Sequence, residues 1–443
     1  MKFYIKKLGC PKNDVDGDYI AGMLISRGLQ PTNNDLEADI VIVNTCGFIL
    51  PAKEESINEI LNYEQQKERG QIKKLYVTGC LPQRYGDELT ADMPLIDGFF
   101  GLGKIEALAD AIIGNNAGGP ILVRDKASEL TYLSGGLRHV DTARPYDYVK
   151  IADGCDRYCS YCAIPLIRGR YRSRPMSEII DETQMLASKG KKEIILVSQE
   201  GTGYGRDFDK GPDIPALLRK LEEVEGIEWI RLMYLHPEAV TEELIDFMTF
   251  SGKVLGYFDI PLQHINDRIL SSMNRRTNRS EIENTLYKIR DKSADNIIRT
   301  TFITGFPEET EKEFGELKRF IEEFKFDRLG VFKYSSEEGT RAAGMKNQIS
   351  DAVAEARQDV LMSVQQEIAF DKNIALIDKI QQVIIDEVKP DAQAVGRTKG
   401  DCPEIDQQVY IDGENLTVGD ILEARVVMAE GYDLIAKAEV SGK

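Results

Sequence analysis

The 443-residue chain lacks any long hydrophobic segment. No apolar run approaches the roughly 20 residues that cross a membrane, and the opening residues MKFYIKKLGCPK contain no signal-peptide core. The sequence also lacks repeats and biased tracts, and its 42% hydrophobic and 29% charged residues are typical of globular proteins. These absences exclude collagen-like, low-complexity and disordered classes. They predict a cytoplasmic protein of two or three domains with no membrane partner.

An excess of basic residues is missing too. The chain has 56 Lys and Arg against 74 Asp and Glu, which gives a formal net charge of −18. A sequence-indifferent affinity for polyanionic nucleic acid therefore cannot be the main activity. A basic partner is the better electrostatic match.

Residues 1–124 alternate short β-branched runs with amphipathic stretches, which predicts a doubly wound α/β domain on a parallel sheet. A linker rich in turn residues is expected at 125–145. The predicted strands are Phe3–Leu8, Asp39–Asn44, Lys74–Thr78, Gly98–Gly101 and Ile121–Val123, and the predicted helices are Asp14–Arg27, Pro51–Arg69, Tyr85–Leu89 and Ile105–Ile113.

Six consecutive β-then-α units in residues 146–350 predict a partial (β/α)6 barrel resembling a shortened TIM barrel, with an open doubly wound sheet as the alternative. Helical periodicity without Gly or Pro predicts a connecting helix at 351–373. The period then changes, and 374–443 predict a small antiparallel β-barrel of five strands. The fold class is therefore multidomain α/β with a C-terminal β-barrel.

The seven cysteines are an odd number in a chain of cytosolic character, so metal or redox chemistry is favoured over disulfides. Cys155, Cys159 and Cys162 lie four and three residues apart, directly after the first predicted barrel strand. Three thiolates at this spacing can wrap one face of a 4Fe-4S cluster and leave its fourth iron without a protein ligand. A structural zinc site would need a fourth ligand, and no second CxxC pair or neighbouring His follows.

The CxxxCxxC spacing, with Tyr161 before its last cysteine, resembles the radical S-adenosylmethionine superfamily. The resemblance implies that the methionine part of S-adenosylmethionine binds the fourth iron, and that one electron then generates a 5′-deoxyadenosyl radical. It also implies cofactor contacts from Tyr161, Gln199, Glu200 and Gly305. His264, at another predicted strand end, is interpreted either as a hydrogen-bonded wall residue or as a catalytic one.

A second group of cysteines is dispersed along the chain. Cys10, Cys46 and Cys80 each follow a predicted parallel strand, so the topology places all three at one edge of the sheet. They are either ligands of a second inorganic cluster or three unrelated buried cysteines.

Three motifs around these cysteines resemble the methylthiotransferase family: Leu8 to Asn13 (LGCPKN), Asn44 to Ile49 (NTCGFI) and Gly79 to Leu81 (GCL). The resemblance implies an N-terminal domain that holds an auxiliary 4Fe-4S cluster on Cys10, Cys46 and Cys80, a radical S-adenosylmethionine barrel and a C-terminal TRAM domain. Two 4Fe-4S clusters, S-adenosylmethionine and a low-potential electron donor such as flavodoxin or ferredoxin are then expected. No acid–base residue is required.

Two branches of this family modify different substrates. The first two motifs resemble the branch that adds a methylthio group to an aspartate of ribosomal protein S12, whereas the other branch modifies adenosine in tRNA. Residues 374–443 contain 7 Lys and Arg against 14 Asp and Glu, and only two aromatic residues. This composition suits a basic ribosomal protein rather than tRNA. A merely solvated acidic surface is the alternative.

Two remaining features have weaker interpretations. Arginines occupy every second position from Arg168 to Arg174. They either face an anionic substrate or form a solvated or ion-paired edge of the protein. Cys402 lies outside both cysteine groups and has no predicted role.

Overall fold

The computed structural model describes residues 1–114, 119–131, 136–390 and 393–439. Its N-terminal part is a six-stranded parallel sheet in the order β2-β1-β3-β4-β5-β6, with hydrophobic layers on both faces. The strands are β1 (Lys2–Lys7), β2 (Gln30–Pro31), β3 (Ile40–Thr45), β4 (Lys74–Gly79), β5 (Gly98–Phe100) and β6 (Ile121–Val123), and the helices are α1 (Pro11–Ser26), α2 (Leu50–Glu68), α3 (Cys80–Asp92) and α4 (Ile105–Ile113).

The predicted doubly wound domain is confirmed, with two differences in detail. The short edge strand β2 was missed, because Pro31 and polar neighbours give it no strand pattern. Helix α3 begins at Cys80 and not near Tyr85, and its first turns were missed because Pro82 lies at the third position and Tyr85 has non-helical dihedral angles.

The central part contains eight strands and seven helices. The strands are β7 (Tyr146–Lys150), β8 (Ala152–Asp153), β9 (Arg172–Ser173), β10 (Glu193–Val197), β11 (Trp229–Leu232), β12 (Tyr257–Asp259), β13 (Ile297–Thr304) and β14 (Arg328–Lys333). The helices are α5 (Ile164–Arg168), α6 (Met176–Ser188), α7 (Ile214–Glu222), α8 (Glu242–Phe250), α9 (Asp267–Ser272), α10 (Arg279–Lys292) and α11 (Glu311–Phe324).

Six of these strands form an arc of parallel strands in chain order. Two three-stranded sheets, β7-β10-β11 and β12-β13-β14, are joined through a bridge between Ile230 and Val254. This order confirms the predicted partial barrel, because in a doubly wound sheet the order of the strands reverses near the centre of the sheet. At the two ends of the arc, α1 packs on β7 and α12 (Asp351–Ile374) packs on β14.

Helix α12 leads into a closed five-stranded barrel. Its strands, paired in the order β15-β16-β17-β19-β18, are β15 (Ile380–Val388), β16 (Ala394–Thr398), β17 (Val409–Asp412), β18 (Ile421–Glu430) and β19 (Asp433–Ala438). The pairs are antiparallel as predicted except β17 with β19, which is parallel. Among the described residues, no helix is long and apolar enough to span a bilayer.

The small barrel closes one end of the arc. Arg397 of β16 lies 2.8 Å from Glu193, the first residue of β10, and Glu193 also binds Arg231 at 2.9 Å. Tyr257, at the start of β12, donates to Asp406 from the loop after β16 at 2.5 Å. These contacts occupy the amino ends of the central strands, so only their carboxyl ends remain for a site.

Candidate active site

The dispersed cysteines lie together at the carboxyl edge of the N-terminal sheet. Cys10 caps α1, Cys46 follows β3 and Cys80 is the first residue of α3. A Cβ atom on Gly9 would stand 2.6 Å from the Cβ of Cys46, and one on Gly47 would stand 2.7 Å from the carbonyl oxygen of Cys80. The two glycines therefore allow the cysteine loops to approach each other closely.

These thiols share one electrostatic environment. Burial, together with the neighbouring Cys80 and Cys10, raises the pKa of the Cys46 thiol to about 12. Burial also raises the pKa of Cys80, whereas the hydrogen-bonded guanidinium of Arg168 opposes that rise. Buried thiols of this kind become thiolates only when a nearby positive centre offsets the cost of removing their negative charge from water.

The second cysteine group lies in the loop between β8 and α5, at the carboxyl end of the arc. The amide of Cys162 donates to the carbonyl of Cys159 at 3.0 Å, and Tyr158 adopts a φ of +50°, which bends the loop. Burial, Glu200 and Cys159 raise the pKa of Cys155 to about 11. Within the described ranges, no three His, Cys, Asp or Glu side chains are placed to hold a single metal ion.

Several buried polar atoms beside this loop have no hydrogen-bond partner among the residues that the structure describes. They are both amide atoms of Gln199, Nδ1 of His236, Nε of Arg275 and Oγ1 of Thr277. Arg275 also lies 3.9 Å from the Cys159 sulfur, and its charge contributes to the lowered pKa of His236, which is caused first by burial. Because buried polar groups are nearly always satisfied, this cluster suits a polar ligand at the mouth of the barrel.

The other predicted cofactor residues have partners within the chain. Glu200 binds Arg157 and, at 2.5 Å, Arg206, so its carboxylate is already paired with two guanidinium groups. Gly305 has a φ of +72°, and a Cβ there would collide with Ala354 of α12. Close helix packing therefore accounts for this glycine, and its role toward adenosine stays a prediction.

Tyr161 lies near Cys159 and packs against a hydrophobic cluster that includes Phe306. Its side chain thus lies on the wall of the second cysteine loop, and its cofactor contact likewise stays a prediction. His264 is fully buried, where Nε2 lies 3.2 Å from Glu309 and Nδ1 accepts from the amide of Asn266 at 3.0 Å. Both nitrogens are thus occupied, which favours the wall interpretation.

The arginines from 168 to 174 do not form one face. Arg168 and Arg174 are buried, and they pair with Asp153 at 3.1 Å and with Glu182 respectively. Arg170 is exposed. The interpretation as an ion-paired edge therefore describes the two buried arginines. Cys402, which had no predicted role, is a buried residue of a separate hydrophobic cluster.

Side chains from both domains bridge the two cysteine groups. Arg168, six positions after Cys162, donates to Oδ1 of Asn13 at 2.7 Å, and the same oxygen accepts from the Cys80 thiol at 3.8 Å. Lys12 reaches across the interface, so that its Nζ lies 3.4 Å from the carbonyl oxygen of Ser198. The two carboxyl edges of the domains therefore face each other.

Three family models match successive parts of the chain. They are the uncharacterized protein family UPF0004 at residues 2–101, the radical SAM superfamily at 149–321 and the TRAM domain at 377–438. A ribosomal protein uS12 methylthiotransferase RimO of Desulfitobacterium hafniense is 42% identical, covering 98% of each chain. The protein of the same name from Lachnoclostridium phytofermentans is 43% identical, covering 99% of this chain and all of its own. The chain belongs to the RimO methylthiotransferase family.

Membership of the RimO family confirms the predicted methylthiotransferase type and favours the ribosomal-protein branch over the tRNA branch. Among solved structures, a radical S-adenosylmethionine methyltransferase, TsrM of Kitasatospora setae, matches with a TM-score of 0.54 at 16% identity. That match covers 75% of this chain and 74% of TsrM, and it supports the fold alone.

Sequence analysis missed several residues of the RimO-type site. Lys12 and Asn13 lie within a recognised motif, and their burial beside Cys10 is the signal that only the structure supplies. His236 and Arg275 lie in segments without any motif. Tyr234 and Gln263, which follow the ends of β11 and β12 by two and four residues, have φ values of +61° and +72°. Strained backbone of this kind is typical of functional sites, but the sequence does not reveal it where the residue is not glycine.

Proposed function

We propose that this chain adds a methylthio group to the β-carbon of an aspartate in ribosomal protein uS12 by radical S-adenosylmethionine chemistry. The observation that carries the proposal is the pair of three-cysteine groups on facing edges of two domains, bridged by Arg168. Cys155, Cys159 and Cys162 would hold one 4Fe-4S cluster, and Cys10, Cys46 and Cys80 would hold the other.

The donor set fits these groups. Within the described parts of the chain, each triplet offers three thiols and no fourth protein ligand, so one iron of each cluster would be left open. Gln199 and His236 present unpartnered buried atoms where the amino-acid part of S-adenosylmethionine would lie. Glu200, Gly305 and Tyr161 are further proposed contacts. When bound, the barrel cluster and S-adenosylmethionine would supply a radical for hydrogen-atom abstraction, the auxiliary cluster would supply sulfur, and a second S-adenosylmethionine would supply the methyl group.

Radical chemistry suits this substrate because the β-carbon of aspartate is not acidic. Removal of a proton beside a carboxylate would need an implausibly strong base, and His264 has both ring nitrogens occupied. The residues of the site therefore bind and orient the substrate and exclude water, and they do not transfer protons.

The proposed partners follow from this chemistry. A low-potential electron donor such as flavodoxin or ferredoxin would supply the electron, and the ribosomal substrate places the reaction in the cytoplasm. The tRNA methylthiotransferase is the remaining alternative. Incubating the reconstituted protein with uS12 and with tRNA, followed by mass spectrometry of each, tests the substrate directly. A methylthio group on tRNA alone would overturn the proposal.

Alanine variants of each cysteine group test the two clusters. Replacing Cys155, Cys159 and Cys162 should remove about half of the bound iron and abolish 5′-deoxyadenosine formation, because the open iron for the cofactor is lost. Replacing Cys10, Cys46 and Cys80 should also remove about half of the iron but leave 5′-deoxyadenosine formation measurable. Iron analysis and chromatography provide the two readouts.

Cys402→Ala is the matched control, because this buried cysteine lies outside both groups. It should change neither iron content nor cofactor cleavage. Iron content that stays at the wild-type level in either triple variant would contradict the assignment of that group.

A further inference from the structure

Lys12 is a buried cation at the interface between the two cysteine groups. It lies in the first turn of α1, two positions after Cys10, and only 7% of the residue is exposed. Its Nζ lies 3.4 Å from the carbonyl oxygen of Ser198 and 3.9 Å from the ring centroid of Tyr234. All of these partners are uncharged.

Other buried cations nearby are paired with carboxylates. Arg168 binds Asp153 at 3.1 Å, and Lys150 binds both Asp16 and, at 3.4 Å, Asp153. Within the part of the chain that the structure describes, no carboxylate lies within 4.0 Å of the Lys12 ammonium. A buried charge without a counter-charge is costly, and such groups are retained where a ligand supplies the missing charge.

The neighbourhood of Lys12 is also short of hydrogen-bond partners. An ammonium group carries three donors, and among the described residues the carbonyl of Ser198 accepts from one of them. A buried cation with spare donors suits a small anionic group that accepts several hydrogen bonds.

The position matches the geometry that the substrate requires. Hydrogen abstraction and sulfur transfer act on one carbon, so that carbon must lie between the two cysteine groups. In aspartate the carboxylate is attached directly to the β-carbon, which forces its binding group into the same space. Lys12 meets this condition, since it lies between Cys10 and the loop from Ser198 to Glu200.

We propose that Lys12 binds the carboxylate of the substrate aspartate and thereby selects aspartate over uncharged residues. This inference rests on the proposed function. It makes Lys12 a substrate-binding residue and assigns it a role that packing alone would not require.

Binding of two peptides tests the inference. Fluorescein-labelled peptides copy the target segment of uS12, one with its aspartate and one with asparagine at that position, and anisotropy is measured on the cluster-loaded protein without oxygen. The wild type should bind the aspartate peptide about ten- to hundredfold more tightly, as expected for a charge-assisted hydrogen bond. Equal affinities in the wild type would overturn the inference without any variant.

Variants then assign the preference to one residue. Lys12→Met removes the charge at similar length and should reduce the affinity for the aspartate peptide to that for the asparagine peptide, whose own binding should barely change. Lys12→Arg should retain most of the preference. Lys189 is an exposed lysine directly after α6, so Lys189→Met is the control and should behave as the wild type.

The outcomes separate this inference from the proposed function. Equal weakening of both peptides by Lys12→Met would show a purely structural role, and an unchanged preference would show that another residue selects aspartate. In either case wild-type methylthiolation of uS12 would persist and the proposed function would stand. A wild type that neither binds nor modifies uS12 would instead overturn the proposed function itself.

Discussion

Gly9 and Gly28 are two glycines with similar backbone conformations and different surroundings. Their φ values are +93° and +85°, which ordinary side chains rarely adopt. A Cβ on Gly28 would have no atom within 4 Å, whereas one on Gly9 would stand 2.6 Å from the Cβ of Cys46. Alanine substitutions at these two positions therefore separate the energetic cost of the backbone conformation from the cost of steric crowding beside the proposed auxiliary cluster.

We expect Gly28→Ala to lower the free energy of unfolding by about 1 to 2 kcal/mol, which is the cost of a left-handed alanine. Gly9→Ala should cost at least about 1 kcal/mol more, because the new Cβ displaces Cys46, and it should also reduce the iron bound at the N-terminal group. Urea unfolding and iron analysis measure the two effects. Equal destabilisation with unchanged iron in both variants would show that Cys46 is not held by this contact.

Helix α11 begins with a reciprocal capping arrangement. The Thr310 amide donates to Glu313 at 2.9 Å, and the Glu313 amide donates to the Thr310 hydroxyl at 3.4 Å. Arg268 adds two hydrogen bonds of 2.6 Å to the same carboxylate, and chiefly through these it lowers the pKa of Glu313 to about 2. A single carboxylate thus fixes the start of α11 and ties it to α9.

The lowered pKa makes this element sensitive to acid. Because the ordinary pKa of 4.5 applies to the unfolded chain, the stabilisation is complete above that pH and is lost as the pH falls toward about 2. Glu313→Gln should therefore lower the free energy of unfolding by about 1 to 2 kcal/mol at pH 7 and by clearly less at pH 3.5. The value at pH 7 allows for solvent screening, because Arg268 is half exposed. Urea midpoints of the cluster-free protein, followed by circular dichroism, measure the difference.

Glu322→Gln on the same helix is the matched control. Glu322 pairs with Lys318 at 3.3 Å, and both side chains are more than 40% exposed. An exposed pair of this kind contributes at most about 0.5 kcal/mol at either pH. A loss for Glu313→Gln that is equally small, or independent of pH, would contradict the role assigned to the cap.

The C-terminal barrel uses its acidic residues in two ways. Asp386, Asp401 and Asp406 pair inward with arginines of the interface with the central domain. Part of the negative charge counted in the sequence is therefore structural. Among the described carboxylates that remain exposed and outside any ion pair, five lie on the barrel strands or in the loop between β17 and β18: Glu387, Asp412, Glu414, Glu423 and Glu430.

Reversing these five carboxylates to lysine should weaken binding of uS12 and strengthen binding of tRNA, if the barrel recruits a basic protein. Cofactor cleavage without substrate should persist, because the site lies at the opposite end of the central strands. Binding by the wild type should also weaken as salt rises, since charges are screened over roughly 8 to 10 Å at physiological ionic strength. Titrations at two salt concentrations measure both responses.

Reversal of Glu225, Glu228 and Asp295, which are exposed on the central domain, is the control and should leave uS12 binding nearly unchanged. A similar loss of affinity in both sets of variants would show that uS12 binding depends on the net charge of the protein and not on the barrel. Deleting the barrel is not an equivalent test, because it would leave Glu193 and Arg231 without Arg397 at the amino ends of the central strands.

The amino-acid sequence by itself determined the order of elements, the barrel and the cysteine groups. Hydrophobic periodicity is a local property, and the CxxxCxxC spacing is complete within eight residues, so neither needs the folded state. The carboxyl-edge position of Cys10, Cys46 and Cys80 was also predictable, because parallel strands end at the same edge. Helix starts with irregular first turns, such as α3, were less accessible.

Only the tertiary structure decided which side chains meet between the domains. Lys12 and the carbonyl of Ser198 are 186 positions apart, and no local pattern relates them. Arg168 likewise proved to be a buried bridge, although the arginines at every second position from 168 to 174 resemble a surface edge in the sequence. Burial and pairing depend on how two domain edges pack against each other, and this packing is a property of the whole chain.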